Sequence, residues 1–285
     1  RRTNIKLSNI KFFNNFNSLV KSGNIDGYIV ATPVSSHYKF AKKIFRQKKP
    51  LIIEKPIVSN INELKKITAM YKNYKQSIFV NHSDLYNPAF LALLGNLKSI
   101  GMYNKINISF GKQQKIKKFN VFGKKKYFLP SFDWLPHPFA IAIKLVGVPQ
   151  NISIIKNNIF IKKKYIFQRS HIRFICKRKV VNINFSNQYS IPKKRIEIIG
   201  SKATLIYDAY KKNMLLSKSK DGKTKKIFYK KIDSFENLLK LFYFSMKNKY
   251  TRKDINFAYK VMQILFKVEN EMKNKLKSNR LDLKS

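Results

Sequence analysis

The sequence predicts an α/β protein: an incomplete Rossmann-type parallel sheet followed by an α+β domain with a large, mostly antiparallel sheet. Three observations carry that prediction. Two short apolar runs, residues 28–31 and 51–53, enclose an amphipathic stretch, which is the pattern of strand, helix and strand. From residue 105 onward, several strand-like runs follow one another with no helix between them, as in an antiparallel sheet. Two amphipathic stretches, 234–246 and 254–272, then close the chain as helices.

Taken in order, residues 10–13 read as a short extended run. Phe16, Leu19 and Val20 mark a short helix ended by Gly23. Residues 28–31 form the first buried strand. Ser35-Ser36 offers an N-cap before Tyr38, Phe40, Ala41, Ile44 and Phe45, whose spacing is helical, and Pro50 stops that helix. Residues 51–53 form the second strand, so the unit is a right-handed parallel βαβ. Ligands of such sheets bind outside the carboxyl ends of the strands. Thr32-Pro33 and Glu54-Lys55-Pro56 stand at those two ends, which makes them the first half of a site. A helix over 60–70, capped by Ser59 or Asn60, leads to a strand over 77–80 and the polar segment Asn81-His82-Ser83-Asp84. A lone histidine at a strand end is more often structural, and His82 is read so.

The first domain is expected to span 1–87 and the second 88–285, with the closing helices packing back on the first. The second opens with a helix from Pro88 to about Lys98. Strands follow over 105–110, 152–156, 159–167, 172–176, 180–185, 195–199 and 204–207. Asp221-Gly222 suits a hairpin turn between 214–216 and 226–229. The tail past Lys273 is charged and expected to fray.

The chain has 285 residues and a hydrophobic fraction of 44%, enough for a large core. No apolar run approaches a membrane span. The single cysteine, Cys176, excludes an intramolecular disulfide and any cysteine-based zinc cluster, and suits a cytoplasmic location. In a strand it reads as a quiet thiol. Lys and Arg number 60 against 14 Asp and Glu, a net charge of +46. A basic nucleic-acid binder is one reading of that charge. Lysine dominates, however, and is spread over every segment together with asparagine, isoleucine and phenylalanine. Compositional drift in an AT-rich genome produces that pattern. The densest runs, Lys124-Lys125-Lys126 and Lys162-Lys163-Lys164, are short and fall in loops or strand edges. A specific nucleic-acid partner is therefore not expected.

These residues also carry a resemblance. ATPVSSHYKFAKKIF followed by IIEKPI resembles the core of the Gfo/Idh/MocA family of NAD(P)-dependent oxidoreductases, most of which act on sugars and cyclitols. NHSDLYNP resembles the segment that closes the family's nucleotide domain, with Leu85 where an Arg is common. RIEIIGSKATLIYDAY resembles its late hairpin. The resemblance implies NAD or NADP as cofactor, with Ala31, Thr32, Pro33, His37, Glu54, Lys55, Pro56 and Asn81 around it and a cis peptide at Lys55-Pro56. It also implies a dimer or tetramer through the open sheet face. No G-x-G-x-x-G occurs in the sequence, so the family's first βαβ unit is expected upstream, roughly fifty to sixty residues. An exposed apolar edge on the 28–31 strand is expected with it.

SFDWLPHPFAIAIKLVG, residues 131–147, supplies the second half of the site. Asp133 and His137 stand four apart, so one helix would present them on one face, and a carboxylate so placed can fix an imidazole tautomer. Helix capping by Asp133 beside an unremarkable His137 is the plain alternative. The segment resembles the family's D-x-x-x-H helix, which implies Lys55, Asp133 and His137 as the catalytic set. His137 would exchange the substrate hydroxyl proton, Lys55 would polarise the substrate oxygen, and Asp133 would orient His137 or bind substrate. No metal is expected, because two such ligands lack a third. A non-catalytic or decayed relative of the family stands as the rival reading.

Overall fold

The structure, a computed structural model, describes residues 10–117, 129–210, 214–230, 232–248, 251 and 254–281. The Lys124-Lys125-Lys126 run lies outside them. Residues 10–13 form no strand. Helix α1 (Phe16–Lys21) is capped by the Asn15 side chain, which accepts from the Ser18 amide, and Gly23 leaves it with φ +73°.

The parallel sheet is built from β1 (Tyr28–Val30), β2 (Leu51–Ile53) and β3 (Ile78–Val80) in that order, with Tyr28 level with Leu51 and Leu51 level with Ile78. Helix α2 (Val34–Arg46) and α3 (Ile61–Lys72) are its crossovers. Every residue of β2 and β3 is buried, which is why their sequences are continuously apolar rather than alternating. At the edge, β1 leaves Ile29 half exposed. The N-cap of α2 is Pro33, with no side-chain cap, and not the Ser35-Ser36 pair. Proline fixes the backbone for helix entry, so the chain turns sooner than the serines suggest. Ser36 Oγ instead donates to the Pro33 carbonyl (2.8 Å) and lies in hydrogen-bond contact with the Thr32 hydroxyl (2.7 Å). In α3, Asn60 accepts from the Glu63 amide while Glu63 accepts from the Ser59 amide. This is a reciprocal cap.

After β3 comes a 3₁₀ turn, Ser83–Tyr86, and then α4 (Pro88–Gly95), shorter than expected and followed by a second 3₁₀ turn, Leu97–Ile100. The large sheet comprises β4 (Tyr103–Gly111), β5 (Ile116–Lys117), β6 (Asn151–Lys162), β7 (Tyr165–Cys176), β8 (Lys179–Ser186), β9 (Lys193–Gly200), β10 (Ala203–Asp208), β11 (Met214–Ser219) and β12 (Thr224–Phe228). Its order is β12-β11-β10-β9-β4-β8-β7-β5, with β6 paired to β7. Among its described strands, only β4 and β8 pair in parallel. The runs read as separate strands over 152–156 and 159–167 are one long β6, a turn in which Lys163 has φ +55°, and the start of β7. A bulge between Ile154 and Lys156 shifts the alternation, and that shift looks like a gap in the sequence. Gly111 is required where β4 passes β8, because a Cβ there would collide with the Ser186 backbone.

Between β5 and β6 lie α5 (Pro130–Trp134) and α6 (Pro136–Val146), joined at Leu135. The expected single helix over Asp133 and His137 is thus two. Pro136 lacks an N–H and cannot donate to the Phe132 carbonyl, so the helical ladder breaks there although Leu135 itself stays in the helical region. Helix α6 packs Phe139 on Phe174 of β7, ring centroids 4.9 Å apart. The chain closes with α7 (Ser234–Lys247) and α8 (Ile255–Leu281), which stays helical past Lys273, where fraying was expected. Leu238 and Phe242 of α7 cover Ile52 and Phe79 on one face of the parallel sheet. Among the described residues no helix is long and apolar enough to cross a membrane.

Candidate active site

The carboxyl ends of β1 and β2 open onto a cleft of about 460 Å³ whose far wall is the start of α5. Thr32, His37, Glu54, Lys55 and Pro56 line the near wall; Leu129, Phe132 and Asp133 line the far one. That volume lies within the range of small-molecule sites. Local bonds explain how these residues come together. Glu54 continues the ladder by donating its amide to Val30 O (2.9 Å), and Asn81 donates to Ile53 O (2.9 Å). The Asn81 side chain then donates to the Glu54 carboxylate, tying the ends of β2 and β3 together.

His37 is buried, with Nδ1 2.9 Å from the Pro56 carbonyl and Nε2 2.6 Å from that of Thr32. It therefore clamps the two strand ends to each other. The Lys55-Pro56 peptide is cis. Ala31, Pro33 and Asn81 flank the cleft without lining it.

Lys55 crosses the cleft. Its ammonium, on a side chain 15% exposed, donates to both the carboxylate and the backbone carbonyl of Asp133, each at 2.8 Å. Sequence reasoning brought these two residues to one site, and the structure joins them directly.

His137 has a different partner from the one expected. The carboxylate at its Nδ1 is that of Asp84, 2.7 Å away, and the other oxygen of Asp84 pairs with the Lys194 ammonium. Asp133 does not orient the ring, because it is engaged by Lys55 and the helix restarts between it and His137. Phe110 of β4 lies nearly parallel to the His137 ring, centroids 6.2 Å apart. Burial alone would raise the Asp84 carboxyl, but His137 and Lys194 outweigh it and hold it below the ordinary carboxylate range.

His82 is fully buried, packs edge-on against Phe257, and has no partner at either ring nitrogen. Burial first, then the charge of neighbouring His137, pushes it down to about 3, so it is neutral. Among the described residues no cluster of three metal-ligating side chains occurs. Cys176 is buried in β7, with its thiol 3.7 Å from the Gly147 carbonyl.

Residues 3–82 match the sequence model of an oxidoreductase family, Gfo/Idh/MocA, described as an NAD-binding Rossmann fold. That span ends with the third parallel strand and contains every residue of the near wall. Over that span, under a third of its length, the chain is similar to the NAD-binding domain of that family.

Solved structures agree on the fold over most of the chain. A protein described as an NADPH-dependent oxidoreductase from Desulfitobacterium hafniense superimposes with a TM-score of 0.80 at 15% identity, over 92% of this chain and 81% of that one. UDP-N-acetylglucosamine 3-dehydrogenase from Acidithiobacillus ferrooxidans gives 0.74 at 16%, over 90% and 81%. A biliverdin reductase from Synechocystis, solved with biliverdin and NADP+, gives 0.74 at 13%, over 91% and 83%. No curated protein sequence matches the chain.

Proposed function

We propose that this protein oxidises a hydroxyl, or reduces the matching carbonyl, of a sugar, cyclitol or sugar nucleotide, using NAD or NADP. The observation that carries the reading is the Lys55 ammonium. It stands at the carboxyl end of a parallel strand, inside the cleft, held by an acid from the opposite wall. Thr32, Glu54 and Pro56 would hold the nicotinamide-ribose end, since a hydroxyl and a carboxylate there can meet ribose hydroxyls. A nicotinamide bound at that wall supplies the hydride acceptor or donor.

His137 takes the substrate hydroxyl proton in oxidation and returns it in reduction. Lys55 donates an N–H to the substrate oxygen, and Asp133 aims that ammonium. A sugar nucleotide is favoured by the likeness to a protein named as a UDP-N-acetylglucosamine dehydrogenase. The basic charge of the chain suits an anionic substrate. The reading places the protein in the cytoplasm, in line with one buried free cysteine, as a dimer or tetramer built on the open face of the large sheet.

The test is a panel of hexoses, inositols and nucleoside-diphosphate sugars with each cofactor, followed by nicotinamide absorbance. Lys55→Ala and His137→Ala are each expected to lower turnover at least about a hundredfold. NADPH binding, read by fluorescence, should change little. Full turnover in both variants, or none by the wild type on any of the panel, would refute the reading.

A further inference from the structure

The geometry points to Asp84 as a positioning residue that sets the tautomer and orientation of His137, with Lys194 balancing its charge. The inference rests on the reading of His137 as the proton-handling group. Three separate pieces of chain converge here: the 3₁₀ turn after β3 brings Asp84, α6 brings His137, and β9 brings Lys194. Asp84 is 5% exposed, and both of its oxygens are engaged, one by the His137 ring and one by the Lys194 ammonium.

The chemistry follows from which ring nitrogen is engaged. Nδ1 of His137 is buried and faces a carboxylate, so in the neutral ring it must carry the proton. One fifth of the side chain remains open, and Nε2 is left with the free lone pair. When Nε2 accepts the proton of a substrate O–H, Nδ1 keeps its own and Asp84 stays unprotonated, facing the imidazolium it has stabilised. Lys194 has a separate task. With Lys194 on its other oxygen, the buried Asp84 carboxylate has a charge partner besides the imidazole. His82 does not compete for Asp84, being neutral and without partners. Asp133 does not compete for His137, being held by Lys55.

A substitution separates this role from plain structural support. In Asp84→Asn, the Lys194 ammonium needs an oxygen facing it, which turns the amide NH₂ toward His137. Nδ1 must then become an acceptor, and the proton moves to Nε2. The readout is long-range ¹⁵N–¹H NMR of the full chain labelled at its four histidines, with His137 assigned through His137→Gln. The wild type should show Nδ1–H at His137, and Asp84→Asn should show Nε2–H.

Turnover of UDP-N-acetylglucosamine should fall roughly a hundredfold or more in Asp84→Asn. KM and NADPH affinity should stay within about threefold, and Asp84→Glu should recover part of the loss. Nε2–H in the wild type, an unmoved tautomer in Asp84→Asn, or an equal loss in Asp84→Glu would overturn the proposal. A wild type without turnover would overturn the function reading instead, and the tautomer would still decide the role of Asp84.

Discussion

Lys55–Asp133 and His137–Asp84 each pair an acid with a nitrogen group, yet solvent treats them in opposite ways. In the first the acid is 66% exposed and the ammonium 15%; in the second the acid is 5% exposed and the ring 20%. An exposed acid facing a half-enclosed lysine can let go of it, so the lysine remains available to a substrate oxygen. A buried acid with both oxygens engaged cannot be solvated if its partners leave, so it holds the imidazole in place. The first pair therefore spans the cleft, while the second, which does not line it, fixes the His137 ring.

Removing the acids is the sharpest way to break that contrast. Asp84→Ala leaves the cationic Lys194 and the imidazole facing a desolvated gap, and should cost about 3 kcal/mol in urea unfolding. A loss below about 1 kcal/mol would show that the buried pair is no anchor.

His82 extends the comparison to a buried imidazole with no acid at all. Its folded-state value near 3 lies below the unfolded 6.5, so the unfolded chain binds the extra proton between those limits. Stability is therefore lost as pH falls through that window, by about 1.4 kcal/mol per unit where the unfolded ring is fully charged. His82→Leu should remove that slope relative to wild type while leaving stability at pH 7 unchanged or slightly higher. Parallel pH profiles for the two proteins would contradict it.

The smallest effect belongs to Asp133→Ala, because the exposed pair is screened and the Asp133 carbonyl still holds the ammonium. Unfolding should change by less than about 1 kcal/mol, with any functional loss appearing in turnover.

The contrast also marks what could be read from the sequence. β2 and β3 were legible because strands buried on both faces need unbroken apolar runs, and the Asn60 cap because its oxygen stands three residues before Glu63. Lys55 and Asp133 were legible through motifs with fixed local spacing. The partner of His137 was not. Asp84 and Lys194 lie far from it in sequence, and only the crossing of α6 over the turn after β3 and over β9 brings them together. The one local clue was Asp84 inside the polar segment that follows a buried strand. Asp133 at helical spacing from His137 offered a simpler partner, and Pro136 dissolved it.

Helix α8 ties the parallel sheet to the far wall of the cleft. The Asp254 amide, at the entry to α8, donates to Ile78 O (3.1 Å) on β3, and Glu269 within α8 accepts from the Leu129 amide (2.8 Å), where the far wall of the cleft begins. One element thus holds two pieces of chain that are far apart in sequence, so a change that loosens α8 would shift the far wall of the cleft against the parallel sheet.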